Sequence, residues 1–261
     1  MHRFLNPIVL VAGVWLGAAA YVTAQSDFDW TGQLAPGQSV EIQGVNGSIR
    51  ASAARDGNIV VTAVKTAGRH NNASDVRIET VSHSGGVTVC AIYPAPAGQP
   101  ANECKPGGRG RNSSRDNDTS VDFTVQLPSG IGLIAQTVNG SVDGQGLQGD
   151  VAGTTVNGSL NLSTTGSARA TTVNGSINAT MGRAVWSNGG KFTTVNGDVT
   201  LRLPAAVNAD VHLSTVSGRI RSDFPLTMND IGPKRADGVI GTGGQKLDVT
   251  TVNGGISLLK R

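Results

Sequence analysis

A short phrase, Thr-Val-Asn-Gly followed closely by an aliphatic residue, recurs through the second half of the sequence. Copies stand at 137–142, 155–160, 172–177, 194–199 and 251–256, with a degraded copy at 215–220 and an upstream outlier at 45–49. Successive later copies begin 18, 17, 22, 21 and 36 residues apart, and the last gap holds an insertion near 222–240. Self-similarity at a period near 20 residues is typical of stacked supersecondary units. The repeat therefore constrains the fold more than any other feature.

The composition of the repeat predicts an all-β fold. Thr, Val, Asn, Gly and Ser dominate it, and β-branched residues flank each turn. An Asn-Gly pair between alternating segments is also a strong hairpin signal, so an antiparallel hairpin meander or barrel stays open. A hairpin, however, does not need the same Thr-Val before every turn. In parallel stacking each residue meets its own kind one coil away, and this favours a parallel β-solenoid.

Alternation along the strands predicts which side chains face the interior. In the segment 207–215 the apolar residues fall on every second position, and the same parity carries Thr215 inward. Extended through the repeat, it places Thr and Asn inside, Val outside, and glycine at the bend for its freedom in φ. The predicted internal ladder is Asn139, Asn157, Asn174, Asn196 and Asn253, and the predicted outer face is Val138, Val156, Val173, Val195, Val216 and Val252. The opposite parity, with Val inside and Asn outside, is the alternative. An apolar outer stripe indicates a partner or covering element, or only strand propensity.

The N-terminus has the pattern of an export signal. A polar start precedes an apolar run at 8–20, and small residues before Gln25 predict cleavage after Ala24. The run is short for a membrane span, although an uncleaved anchor is the alternative. We expect residues 1–24 to be a signal peptide, with no membrane span after cleavage.

Two cysteines in an exported chain predict a disulfide between Cys90 and Cys104. The alternative is two free thiols. The bridge would pin a long polar excursion near 93–119. The remaining chain divides into an N-terminal β segment at 25–128 and solenoid repeats at 129–261, which we expect to be continuous. A hairpin around Gly85 is expected to cap one end of the stack.

Composition and motifs exclude several function classes. The formal charge is +3 and charged residues make up 15%, too weak a balance for a strongly basic nucleic-acid binder. The glycines at 144–149 match a dinucleotide fingerprint but no helical pattern follows. Asp116-Asn117-Asp118 lacks the later residues of a calcium loop. The acids of the repeat zone form no column that would hold paired carboxylates for sugar hydrolysis. We therefore predict no catalytic residue, metal or cofactor site.

The segment Gln126-Leu127-Pro128-Ser129-Gly130 together with the repeats resembles the bacterial putative-adhesin family, a domain of unknown function. The resemblance covers about residues 38–261. It implies a β-solenoid-like fold and an exported protein of the periplasm, cell surface or extracellular space. The cysteine-bounded excursion is not part of that family pattern.

Three classes of function remain. The favoured one is a non-enzymatic, adhesin-like surface or envelope protein that presents a repetitive β face, with a surface glycan or an envelope protein as partner. The alternatives are a structural scaffold of the envelope and a carbohydrate-active enzyme.

Overall fold

The computed structural model describes residues 27–69, 71–114, 116–186, 189–232 and 234–261, without the side chains of 228–232. The predicted signal peptide at 1–24 lies outside the described residues. Within them, no helix is long and apolar enough to cross a membrane.

The described residues form two large sheets, whose strands we number in chain order. Sheet A has 10 strands, which in spatial order are β1 (Phe28–Gly32), β4 (Ile59–Thr66), β7 (Ser120–Leu127), β3 (Ile49–Ala53), β9 (Val142–Leu147), β11 (Leu160–Thr164), β13 (Ile177–Met181), β15 (Val199–Leu203), β21 (Ile256–Lys260) and β17 (Ile220–Ser222).

Sheet B has 11 strands. Their spatial order is β18 (Leu226–Gly232), β19 (Arg235–Ile240), β16 (Ala209–Ser214), β20 (Gln245–Thr250), β14 (Gly190–Thr193), β12 (Ala168–Thr171), β10 (Val151–Thr154), β8 (Gly132–Gln136), β2 (Ser39–Gln43), β6 (Gly86–Ile92) and β5 (Arg77–His83). Two short 3-10 turns, Ala73–Asp75 and Pro106–Gly108, accompany the strands.

The fold is a parallel β-solenoid, as the repeat predicts. From β8 onward each coil runs along one strand of sheet B, turns at a Thr-Val-Asn-Gly corner or its degraded copy, and continues into a strand of sheet A. Neighbouring coils pair in parallel, as in Val151↔Ala168 of β10 and β12 and Leu160↔Ile177 of β11 and β13. This parallel pairing is incompatible with a hairpin meander, and neither described sheet closes into a barrel.

The core lies between the two sheets and follows the predicted alternation. Ala209, Val211 and Leu213 of β16 are buried, and so are Leu160 and Leu162 of β11. Strands of the predicted N-terminal segment share these sheets with the repeats, because β2 pairs with β8 and β3 with β9.

The order of coils in space departs from their order in the chain. The C-terminal strands β20 and β21 form a coil that lies between the coil of β14 and β15 and the coil of β16 and β17. The coil of β16 and β17 is therefore the last of the parallel stack. The insertion near 222–240 contributes no further coil. It supplies the antiparallel hairpin of β18 and β19, which covers the edge of β16. The degraded copy at 215–220 thus forms the terminal coil, which needs a partner on one side only.

The opposite end is also covered by antiparallel strands. The hairpin of β5 and β6 turns between His83 and Gly86, where it was expected. On sheet A, β4 and β1 run antiparallel beyond β7. These additions protect the open edges that parallel coils would otherwise expose.

The excursion after β6 replaces the corner of the coil that β6 and β7 form. Cys90 and Cys104 are bonded, with their Cα atoms 5.7 Å apart. Tyr93 anchors the excursion to the next corner, because its buried hydroxyl donates to the Thr119 carbonyl at 2.9 Å and reaches the Asn46 carbonyl at 3.2 Å. Burial raises the pKa of Tyr93 to about 12, so the phenol keeps its proton at neutral pH.

A buried carboxylate fixes the excursion against sheet B. Glu41 is 3% exposed and accepts hydrogen bonds from the Gly107 amide and the Thr88 hydroxyl, each at 2.8 Å. The side-chain amides of Gln43 and Gln136 donate to its other oxygen. All four donors are neutral, so the carboxylate is held by hydrogen bonds, and the excursion's own backbone supplies one of them.

We predict that Glu41→Ala loosens the excursion. The substitution removes a charged acceptor and leaves buried donors unpaired, which should cost about 3 kcal/mol of unfolding free energy. Amide hydrogen exchange at 105–110 should accelerate. Glu79→Ala is the control, since it removes the other glutamate of sheet B, which is half-buried and pairs with Arg77 rather than with the excursion's backbone amides; it should change neither quantity much. Unchanged exchange in Glu41→Ala would show that the disulfide alone holds the excursion.

Candidate functional site

The corners of the solenoid align into one continuous column, the repeat edge, built from the Thr-Val-Asn-Gly copies. The threonine of each copy is buried, as predicted. Its hydroxyl donates to the carbonyl of the corner glycine one coil away; Thr155 reaches Gly140 at 2.8 Å and Thr172 reaches Gly158 at 2.9 Å. The same contact is made by Thr137, Thr194, Thr251 and Thr215. The threonine column therefore satisfies carbonyls that the turn removes from the sheet ladders.

The glycine of each copy is required by close approach to the neighbouring coil. A Cβ on Gly175 would lie 2.0 Å from the Gly158 carbonyl oxygen, and one on Gly158 would lie 2.1 Å from that of Gly140. We expected these glycines to supply a special φ, and for the repeats from 137 onward this is wrong. Only the upstream Gly47 has a positive φ among the corner glycines. Packing between coils, rather than backbone conformation, excludes a side chain here.

The asparagines form a continuous hydrogen-bonded ladder on the outside of the molecule. Each Nδ2 donates to the Oδ1 of its neighbour over 2.7–2.8 Å, from Asn139 through Asn157, Asn174 and Asn196 to Asn253. These side chains are exposed, so the expected inward orientation is wrong. Strict alternation ends at the corner, where the chain turns and two consecutive residues, such as Val156 and Asn157, both face solvent.

The ladder is longer than the predicted set. Asn139 donates to Asn46 at 2.8 Å, and Asn46 donates to the Asn117 carbonyl of the excursion at 3.2 Å. At the far end the Ser217 hydroxyl lies 3.3 Å from Asn253 Oδ1. All amides donate in the same direction, toward the excursion. The outlier at 45–49 was the sequence signal for the extra member.

The valines form an exposed column beside the ladder. Val138, Val156 and Val173 are each 38% exposed, Val195 is 36% and Val216 is 57%, whereas Val252 is intermediate. All but one of the exposed large hydrophobic side chains in the described part of the chain lie in this column; the exception is Val185. Aliphatic groups collected in this way form an apolar stripe that no described element covers.

The serines that follow the corner glycines form a further column, which the sequence analysis did not predict. The Ser141 hydroxyl accepts from the Ser159 amide at 3.3 Å, and Ser159 in turn accepts from Ser176 at 3.2 Å. Asp198 takes over this role for the Gly255 amide at 2.6 Å. Repetition of serine at one position of the motif was the available signal. Amide, hydroxyl and methyl groups thus line most of the edge, and its charges come near the far end with Asp198 and Arg219.

Two further polar features lie outside the valine and asparagine columns. Asp237 pairs with His212 and with Arg235 Nε at 2.7 Å, and the hydrogen bond from His212, with that from Arg235, lowers the pKa of the carboxyl. An open cavity of about 680 Å³ between the excursion and the segment near Asp75 is lined by prolines and polar side chains. Among the described residues no three His, Cys, Asp or Glu side chains are grouped to hold a metal ion.

The parallel solenoid with its aligned corners defines a class of repetitive β scaffold. The chain belongs to the Toastrack DUF4097 family, which matches it over residues 38–259. No curated protein matches at a significant level.

Solved structures that resemble the chain share little sequence with it. A protein described as a putative cell adhesion protein from Clostridium sporogenes has 11% identity and a TM-score of 0.43, over 90% of this chain and 99% of its own. A putative adhesin from Bacteroides fragilis has 10% identity and a TM-score of 0.27, over 90% and 96%. A putative adhesin from Parabacteroides merdae has 9% identity and a TM-score of 0.22, over 89% and 95%.

We predict that the buried threonine matters more for stability than the exposed asparagine beside it. Thr172→Val leaves the Gly158 carbonyl without its donor and should cost about 1–3 kcal/mol. Asn174→Ala exposes its ladder partners to water, which replaces the lost bonds, so it should cost about 1 kcal/mol or less. Urea unfolding of the two variants makes the comparison. A larger loss in Asn174→Ala would contradict the assigned orientations.

Proposed function

We propose that the protein is an exported, non-enzymatic, adhesin-like protein of the cell surface or envelope that binds another molecule through the repeat edge. The observation that carries the proposal is the pairing of two exposed columns, valine methyls beside asparagine amides, along most of the stack. An uncovered apolar stripe of this regularity marks an interaction surface. Membership of the Toastrack family and the resemblance to the adhesin pattern support the same assignment.

Export is supported by the disulfide and by the N-terminal sequence. A bond between Cys90 and Cys104 persists in oxidising compartments such as the periplasm or the extracellular space. The apolar run before Ala24 has the length and flanking residues of a signal peptide. Both features support a site of action outside the cytoplasm.

The proposal assigns binding and no catalysis because of the groups that the edge presents. Amides, unactivated hydroxyls and methyl groups recognise ligands by hydrogen bonding and contact. Nucleophilic or acid–base chemistry would need an activating partner within hydrogen-bond reach. The Asn and Ser side chains of the edge bond instead to their own counterparts on adjacent coils.

Retention of the exported protein on envelope material tests this function. A charge in the valine column should disrupt apolar contact, so Val156→Asp/Val173→Asp should lower retention at least tenfold. Val185→Asp is the matched control because Val185 is 61% exposed and lies outside the column. It should bind like the unmodified chain. Equal retention of the unmodified chain, the double variant and Val185→Asp would show that the repeat edge is not the binding surface. No retention of the unmodified chain would contradict the binding function itself.

A further inference from the structure

We propose that the ligand of the repeat edge is a neutral β-1,4-linked polysaccharide lying along the stack, with one sugar ring on each coil. The inference rests on the proposed function and specifies its ligand. It is carried by three properties of the edge: its repeat distance, the uncharged side chains that line its coils from Asn139 to Asn174, and its narrowness.

The repeat distance selects among linear polymers. Adjacent coils are hydrogen bonded as parallel strands, so equivalent side chains recur about every 4.8 Å. A β-1,4-linked pyranose chain advances by close to this distance per ring, and because successive rings are turned over, the same groups return in register at every second coil. An extended peptide presents side chains to one side about every 6.6 Å, and it therefore falls out of register with the coils.

The chemistry of the two columns matches a sugar ring. Inside the ladder, Asn157 and Asn174 each use one N–H and one oxygen lone pair for their neighbours. A side-chain amide has two N–H donors and two lone pairs. One donor and one lone pair per coil thus remain to meet sugar hydroxyls. The valine methyls beside them suit the C–H faces of the rings.

Charge and width support the same ligand. From Asn139 to Asn174 the exposed columns consist of Val, Asn and Ser side chains, and a polymer with a charge on every unit would gain no ion pair there. The six steps from coil to coil, each about 4.8 Å, give the edge a length of about 29 Å. With the width of two adjacent columns, its surface area is roughly 300 Å². A stable protein interface covers about 800 Å² per partner. The edge fits one polymer chain better than a second copy of the protein.

Titration with oligosaccharides of increasing length tests the inference. Cello- and chito-oligosaccharides of two to six units are added to the exported protein and followed by calorimetry. Affinity should rise at least tenfold from the disaccharide to the hexasaccharide, because each added ring meets another coil. Maltohexaose, whose α-linked chain coils instead of extending along the stack, should bind at least tenfold more weakly than the tighter-binding β-linked hexasaccharide.

Two variants and two controls locate the binding. Asn174→Ala and Val173→Asp should each weaken hexasaccharide binding at least fivefold. Asn178→Ala removes an exposed amide of sheet A that is paired with Asn161, and Val185→Asp adds a charge elsewhere; both should bind normally. The inference would be overturned if neither β-linked hexasaccharide showed saturable binding. It would also be overturned if the variants and the controls changed the hexasaccharide affinity equally.

The result of the oligosaccharide titration can be distinguished from the result of the retention test of the proposed function. Retention on envelope material that depends on the valine column, without affinity for either hexasaccharide, would overturn the polysaccharide and leave the adhesin-like function standing. Binding of an extended peptide library at the same edge would identify a different class of ligand and contradict the inference directly.

Discussion

The solenoid depends on the close approach of successive corner glycines. A Cβ on Gly140, Gly158 or Gly175 would fall within about 2 Å of the carbonyl oxygen of the neighbouring glycine. The buried threonine hydroxyl then donates to that same carbonyl. Steric fit and hydrogen-bond satisfaction therefore act on one atom, and together they hold the corners of sheets A and B at strand spacing. This contact explains why threonine and glycine recur in the repeat copies along the chain.

Much of the architecture could be predicted from periodicity and alternation. Both are local properties, and they gave the parallel solenoid, the buried threonines and the outward valines. The orientation of Asn174 could not be obtained in this way because alternation holds only within strands and ends at a corner. The position of β20 and β21 inside the stack was also beyond reach. Copies with the same corner offer interchangeable surfaces, and the sequence does not specify which surfaces meet. The role of Glu41 depends on an excursion that returns over sheet B from distant positions.

The same repetition that builds the fold shapes its surface. Because the coils from Thr137 onward place threonine and glycine at the corner, the two residues between them are displayed at constant spacing on the outside. Valine and asparagine occupy these places, and the amides bond to one another across coils. A rigid row of this kind is already ordered before it meets a ligand, which lowers the entropic cost of binding. The excursion closes one end of the row through Asn117, and Ser217 ends the other.

The free energy of unfolding of Gly175→Ala tests the central claim most directly. An added methyl group would collide with the backbone of the neighbouring coil, which cannot move aside without separating the strands. Gly57→Ala provides the control, since a Cβ there meets nothing within 4 Å and Gly57 has no positive φ. We expect Gly175→Ala to lose about 3 kcal/mol or more of unfolding free energy, and Gly57→Ala to show little change or a slight gain. Equal stability of the two variants would contradict the claim that the corner glycines hold the coils together.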